Sequence, residues 1–387
     1  MINLITGVAT AGIIVGTMSL IIVLSVFNGF ETLISSLYST FNPDIKVTAK
    51  YGKYFNDSLP ALQSLHTIPG IHKSMYVLEE NALVKHENKQ YVATLKAVQP
   101  AYTSLERTKK MMVRGEPVLQ NGNTNFAIVG LAIAYHLDVN TADVSHTNLS
   151  VYVPNISGGI GMQKPFHAKK VPLSGIFSIQ QEIDNKYVIV PLRFLWDLTK
   201  KKHELSSIDI YLKDNSQLHA VKEKLKQQLG SDFEVKDHQE QEALLYKIMK
   251  SEKLAIFFIL TFILIIAMFN IIGSISIIII DKKKEIQQLW NLGANQQTIK
   301  VIFYMEGLLI LLVGSIVGLI LGVAICMIQE NFGLIKLGEA GSFLINAYPV
   351  SLQLFDVILV FFTVIGIGFL AIIYPIHQII KRYFSRL

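Results

Sequence analysis

LAIFFILTFILIIAMFNIIGSISIIIIDKKKE, residues 254–285, decides the fold class. From Leu254 to Ile280 there is no charged residue, and then Asp281-Lys282-Lys283-Lys284-Glu285 follows at once. A helix rises 1.5 Å per residue, so this run is long enough to cross a hydrocarbon core about 30 Å thick. The abrupt change from apolar to basic marks a membrane boundary, and clustered Lys and Arg mark the cytoplasmic side.

Three further windows repeat the pattern: about Ile5–Phe27, Val301–Ile328 and Phe355–Tyr374. The first has an uncharged Met-Ile-Asn ahead of it, a long apolar stretch and no small-residue cleavage site after it, so it is expected to be a retained span rather than a signal peptide. Composition fits this division. Of 387 residues 51% are apolar, the mean hydropathy is +0.41, and only 17% are charged, against about 25% in an ordinary domain. The charges are crowded outside the four windows.

The short flanks set an expected orientation. Lys282–Lys284 follow span two, and Lys381, Arg382 and Arg386 follow span four. The loop between spans three and four offers only Lys336 against Glu330 and Glu339. The second-to-third loop and the C-terminus are therefore expected inside, and four crossings put the N-terminus inside as well. The expected division is span one at 1–27, an outer domain at 28–253 and span two at 254–280. A cytoplasmic loop at 281–300, span three at 301–328, an outer loop at 329–354, span four at 355–375 and a tail at 376–387 complete it.

The outer segment reads as α+β, with room for two subdomains. Strand patterns occur at Asp44–Thr48, Tyr91–Val98, Ser150–Pro154 and Tyr187–Pro191. Helical patterns occur at Leu59–Leu65, Ile128–Leu137 and Ser216–Leu229. Between two strands, Pro154–Lys170 holds three glycines among apolar residues and lysines; it reads as a flexible loop or as a protruding hairpin that meets a partner.

Small residues recur at Gly12 and Gly16 and at Gly314, Gly318 and Gly322. That spacing lets two helix backbones approach closely in lipid. Glu306 and Asp356 are the charges inside spans three and four; both lie near span ends and are expected to reach the interface or a polar partner.

Enzyme chemistry finds no constellation. The sequence has no P-loop pattern, no G-x-S-x-G, and His86-Glu87 lacks the second His of a zinc motif. One cysteine, Cys326, excludes an internal disulfide and a cysteine metal site. The net charge of +6 speaks to membrane orientation rather than to nucleic acid. The cytoplasmic loop is more informative. Lys282–Gly293 reads as a short amphipathic helix stopped by glycine, suited to docking in a groove of another protein or to lying on the membrane surface.

Several of these stretches together resemble the LolC/LolE family of lipoprotein-releasing ABC-transporter permeases, within the FtsX/MacB-like superfamily. Ser25-Val26-Phe27-Asn28-Gly29-Phe30-Glu31 is similar to that family's signature at the end of span one. Phe269-Asn270-Ile271-Ile272, Asp281–Ile286, Leu289–Ala294 with Glu306-Gly307, and Tyr374-Pro375 resemble its later motifs. The family's basic segment ahead of span one is not matched, since Met1 falls almost at the membrane.

The resemblance implies a MacB-like periplasmic core domain and a place in the inner membrane of a Gram-negative bacterium. It implies pairing with a second permease chain, itself or a sister, and a separate LolD-like cytoplasmic ATPase. No cofactor would be bound by this chain; ATP and Mg would act through that ATPase. The coupling helix would be Lys284, Glu285, Ile286, Leu289, Trp290, Leu292 and Gly293. A hook gripping a LolA-like periplasmic carrier would comprise Gly161, Met162, Lys164, Pro165 and Phe166. A cavity for the lipoprotein's lipid, between spans one and two of opposing chains near their outer ends, would involve Val23, Val26, Phe27, Ile256 and Leu260. ATP-driven motion would pass through the spans to the outer domain as mechanical force. The other readings are a related permease for peptide or drug efflux or cell-wall hydrolase control, and a membrane sensor without an ATPase partner.

Overall fold

A computed structural model of the chain describes residues 2–384, apart from 64, 66–67, 141–143, 145–146, 156–165 and 337–346, and the side chains of all these but 2–5, 61, 63, 383 and 384. The longer helices, in chain order, are α1 (Ile2–Phe41), α2 (Leu131–His136), α3 (Leu192–Thr199), α4 (Leu218–Leu229), α5 (Ala243–Asp281), α6 (Lys283–Asn291), α7 (Gln296–Phe332) and α8 (Leu354–Phe384). The chain divides into two units: 1–34 with 244–387, and 35–243.

Among its described residues the first unit holds four helices long and apolar enough to cross a membrane, α1, α5, α7 and α8. Their outward faces are largely apolar, as helices in lipid require; Phe258, Phe262, Ile266 and Phe269 of α5 are all more than half exposed. Leu20, Leu24, Met268, Ile275, Leu311 and Val364 form the buried seam between the helices. The glycine spacing of α7 finds its partner within the same chain. A Cβ at Gly314 would lie 2.9 Å from that of Ile13, one at Gly318 would lie 2.8 Å from the Ile14 carbonyl and Thr17 Cβ, and one at Gly322 would meet Ile21 at 3.0 Å. Gly16 of the first span faces Leu264 of α5, whereas Gly12 meets nothing. Of the two small-residue rows, only that of α7 is a continuous packing stripe.

The second unit is α+β. Ten described strands make one mixed sheet: β1 (Ile45–Ala49), β2 (Ile71–His86), β3 (Lys89–Val98), β4 (Met112–Gly115), β5 (Ala127–Gly130), β6 (Asn148–Pro154), β7 (Phe166–Phe177), β8 (Tyr187–Pro191), β9 (Ser207–Leu212) and β10 (Phe233–Asp237). Their order is β10-β1-β9-β2-β3-β8-β5-β7-β4, and β6 pairs with both β7 and β2. Both faces are covered. Leu78, Val129 and Val188 enter one buried cluster and their sequence neighbours Val77, Ile128 and Ile189 another, as the two-residue period of a strand demands. A third cluster seats Val221 and Leu225 of α4 against Ile45, Val47 and Ile208.

The expected helix over Ile128–Leu137 is corrected. Ala127–Gly130 is a strand and only Leu131–His136 is helical. All four strand residues are buried, and a short run buried on both faces carries no period that separates strand from helix.

Candidate functional site

The loop between α5 and α7 folds as the short helix α6. Lys282 and Glu285 pair at 2.7 Å across one turn, and Gly293 ends the segment at φ 94°, where a side chain would be strained. Ile286 is buried among the residues packed between the spans. Lys284, Glu285, Leu289, Trp290, Leu292 and Gly293 are exposed, Leu292 by 84%. The stripe expected from sequence therefore splits in two: Ile286 anchors the helix, and Leu289, Trp290 and Leu292 present an apolar edge to solvent.

Of the hook candidates, Gly161, Met162, Lys164 and Pro165 lie outside the described residues. Phe166 opens β7 opposite Pro154 of β6 and is half exposed. The two strands pair in antiparallel register down to Pro172 and Asn148, so the stretch between them joins the ends of an extended hairpin.

The five cavity candidates are half-buried: Val23, Val26 and Phe27 on α1, Ile256 and Leu260 on α5. Two contacts bracket them. Gly16 faces Leu264, and the Lys253 ammonium donates to Asn28 Oδ1 at 2.8 Å. The helices thus run antiparallel in contact at both ends of this stretch, which sets 23–27 beside 256–260.

A buried polar cluster closes the Asn28 end of that stretch, and sequence reasoning passed over Lys253. Its Nζ lies 2.9 Å from Asp356 Oδ2, while Asn28 Nδ2 donates to the same oxygen at 2.7 Å. Asp356 and Asn28 are almost wholly buried. Asp356, expected to find the interface or a polar partner, has found two partners on two other helices. The segment before α8 seals the cluster. Ser351 N–H donates to Ser25 O at 2.9 Å, Phe30 meets Tyr348 edge to face at 5.3 Å, and Gly29 lies so close to the Pro349 carbonyl that a Cβ there would overlap it. The signal available in sequence was one cationic residue, Lys253, directly ahead of a span, and one anionic residue, Asp356, just inside another.

Known proteins extend the comparison. The description "MacB-like periplasmic core domain" matches residues 6–228 and "FtsX-like permease C-terminal" matches 257–384. The lipoprotein-releasing system transmembrane protein LolC of Buchnera aphidicola subsp. Schizaphis graminum is 25% identical, over 97% of this chain and 91% of that protein. The LolC protein of Haemophilus influenzae is 24% identical over 98% of this chain and 92% of its own length. LolE of the same organism is 22% identical over 98% and 93%. With more than half of its length matched by one description and most of the remainder by the other, the chain belongs to the MacB-like periplasmic core domain family, joined in the same chain to an FtsX-like permease region and similar end to end to LolC and LolE proteins.

Proposed function

We propose that this chain is the membrane subunit of an ABC transporter that extracts lipoproteins from the inner membrane and hands them to a periplasmic carrier. The observation that carries this reading is the end-to-end similarity to proteins described as lipoprotein-releasing, across spans and outer domain alike. Residues 35–243 then face the periplasm, and both described ends of the chain lie on the cytoplasmic side. Leu289, Trp290 and Leu292 seat in a cytoplasmic ATPase, which binds ATP and Mg. Because a docked helix must move with the spans to be useful, the burial of Ile286 among them supports this role for α6. Nucleotide-driven motion passes along the spans to the outer domain as force. A second permease chain, identical or not, completes the pair. Gly161, Met162, Lys164, Pro165 and Phe166 meet the carrier, and the lipid of the cargo lies along Val23, Val26, Phe27, Ile256 and Leu260.

The test is to deplete the protein in its host and fractionate the membranes. Outer-membrane lipoproteins should accumulate in the inner membrane, and replacing Met162, Lys164 and Phe166 should reproduce the defect. Normal lipoprotein distribution on depletion would reject this reading in favour of another ABC task or a sensor, which co-purification with an ATPase would then separate.

A further inference from the structure

Arg107 reads in sequence as one member of the charged run Glu106-Arg107-Thr108-Lys109-Lys110. The fold turns it inward. Nη1 donates to the carbonyls of Ser39 and Asn42, at 3.1 and 3.4 Å, at the C-terminal end of α1. Nη2 donates to Asp44 Oδ1 at 2.6 Å. A cation there complements the helix dipole and the last unpaired carbonyls.

Asp44 gathers the rest. Its side chain is fully buried. Oδ2 accepts the backbone N–H of Leu212 on β9 at 2.7 Å, and Oδ1 also faces His238 Nε2 at 3.3 Å. His238 begins the short turn of helix that leads to α5. Beside it, Gln241 Nε2 donates to Pro43 O at 3.0 Å, and Asn42 Nδ2 donates to Glu242 Oε1 at 3.1 Å. The chain leaving α1 and the chain entering α5 therefore converge on one buried carboxylate, and through it on a strand inside the sheet.

Stability alone does not explain this choice. A buried ion pair is often no better for stability than apolar residues of the same size. What directional, charge-assisted bonds add is fixed geometry. Apolar contacts let an element slide, whereas a planar guanidinium bonded to two carbonyls and a carboxylate resists both sliding and rotation.

We propose that Asp44, Arg107 and His238 are positioning residues that make the ends of α1 and α5 move together with the sheet, so that nucleotide-driven motion of the helices reaches the outer domain. This rests on reading the chain as an ABC permease.

The experiment uses the full chain assembled with its ATPase. An environment-sensitive fluorophore is placed on Y135C, an exposed α2 position, in a C326S background. ATP-dependent fluorescence, ATP hydrolysis and lipoprotein release are read on the same sample. Removing Arg107 alone strands a buried charge and invites misfolding, so the main variant is D44N/R107M, which removes both charges, with H238Q as the milder second. The expected result is a nucleotide signal reduced at least about five-fold, the lower bound of ordinary coupling between sites, with hydrolysis and thermal melting retained. A preserved signal, a parallel loss of signal and hydrolysis, or no nucleotide signal in the parent protein each overturns the proposal. A parent that gives the signal, loses it in D44N/R107M, and yet releases no lipoprotein upholds the joint and rejects the cargo.

Discussion

Lys253 and Asp356 form a 2.9 Å salt bridge between helices whose paired residues stand 103 positions apart, and Asn28 of a third helix bonds to both. The two ions are not equally sheltered: the Lys253 side chain is 25% exposed and that of Asp356 6%. Removing the lysine strands a buried carboxylate; removing the carboxylate leaves an ammonium that still reaches solvent. K253M should therefore destabilise the purified chain by about 3 kcal/mol and D356N by clearly less. Thermal melting in detergent reads both. The double K253M/D356L should recover much of the loss; a double as unstable as K253M would mean that the pair is not what holds these helices.

Gly318 of α7 sits against the Ile14 carbonyl and Thr17 of the first span, where an added Cβ would be 2.8 Å from each. Backbone atoms cannot yield as a side chain can, so G318A should cost about 1–3 kcal/mol as an overpacked contact. A Cβ added at Gly12 would meet no atom of another described element within 4 Å, and G12A should melt within about 0.5 kcal/mol of the parent, as an unpacked substitution does. Equal behaviour of the two would show that the α7 stripe is not a packing face in the membrane.

The same pair of glycines shows what was legible in the sequence. Spacing marks a helix face that can approach another helix, and it marked both Gly12 and Gly318; only the fold tells which one meets a partner. The spans themselves were readable because a bilayer permits little else over 20 apolar residues. The Ala127–Gly130 strand was not, since burial on both faces erases the period. At the proposed docking helix, sequence could supply the apolar residues but not their division, because Ile286 and Leu289 lie within one turn of each other and only packing against the spans separates them. Lys253 stayed hidden for a different reason: the sequence shows a cation ahead of one span and an anion inside another, but its partners come from the first and last helices, and linear order does not say which charges meet.

The outer domain should be acid-sensitive. Burial alone would raise the carboxyls of Asp44, Glu79 and Glu80, yet each is held below its ordinary value. His238, the Leu212 N–H and Arg107 do so for Asp44, Lys46 and Lys96 for Glu79, and Lys53, Tyr54 and Lys201 for Glu80. A carboxyl depressed in the folded state contributes stability above its unfolded value, and that contribution is lost as pH falls through the folded value. Asp184 works the other way. Burial raises it despite bonds from Ser178 and Ile179, so its contribution is present below its unfolded value and is lost as pH rises. The depressed carboxyls, Asp237 beside Lys222 among them, outnumber the one raised, and the domain should loosen as pH drops below about 4, the ordinary carboxylate range, rather than between 5 and 8. Fluorescence of Trp196, whose indole N–H donates to Glu204 O at 3.0 Å, in a W290F background reads the transition. A midpoint near pH 6 would point to histidine instead.

The division of α6 into an anchor and an exposed edge separates two kinds of damage that a single alanine scan would merge. Ile286 is buried with the helices of its unit, so I286A opens a void and should cost about 2–5 kcal/mol, the range for truncating a buried isoleucine. Any loss of ATPase binding in that variant follows from a displaced helix. Leu289 and Leu292 are exposed, and placing a charge there should leave melting within about 0.5 kcal/mol of the parent. On a partner's surface the same change is severe, because a desolvated, unpaired carboxylate at an interface core is costly. L289D and L292D should therefore keep a normal melting curve and lose the co-purifying ATPase. A stable L292D chain that still brings down the ATPase would move the docking face off this edge of α6, and the lysine side of the helix would be the next to test.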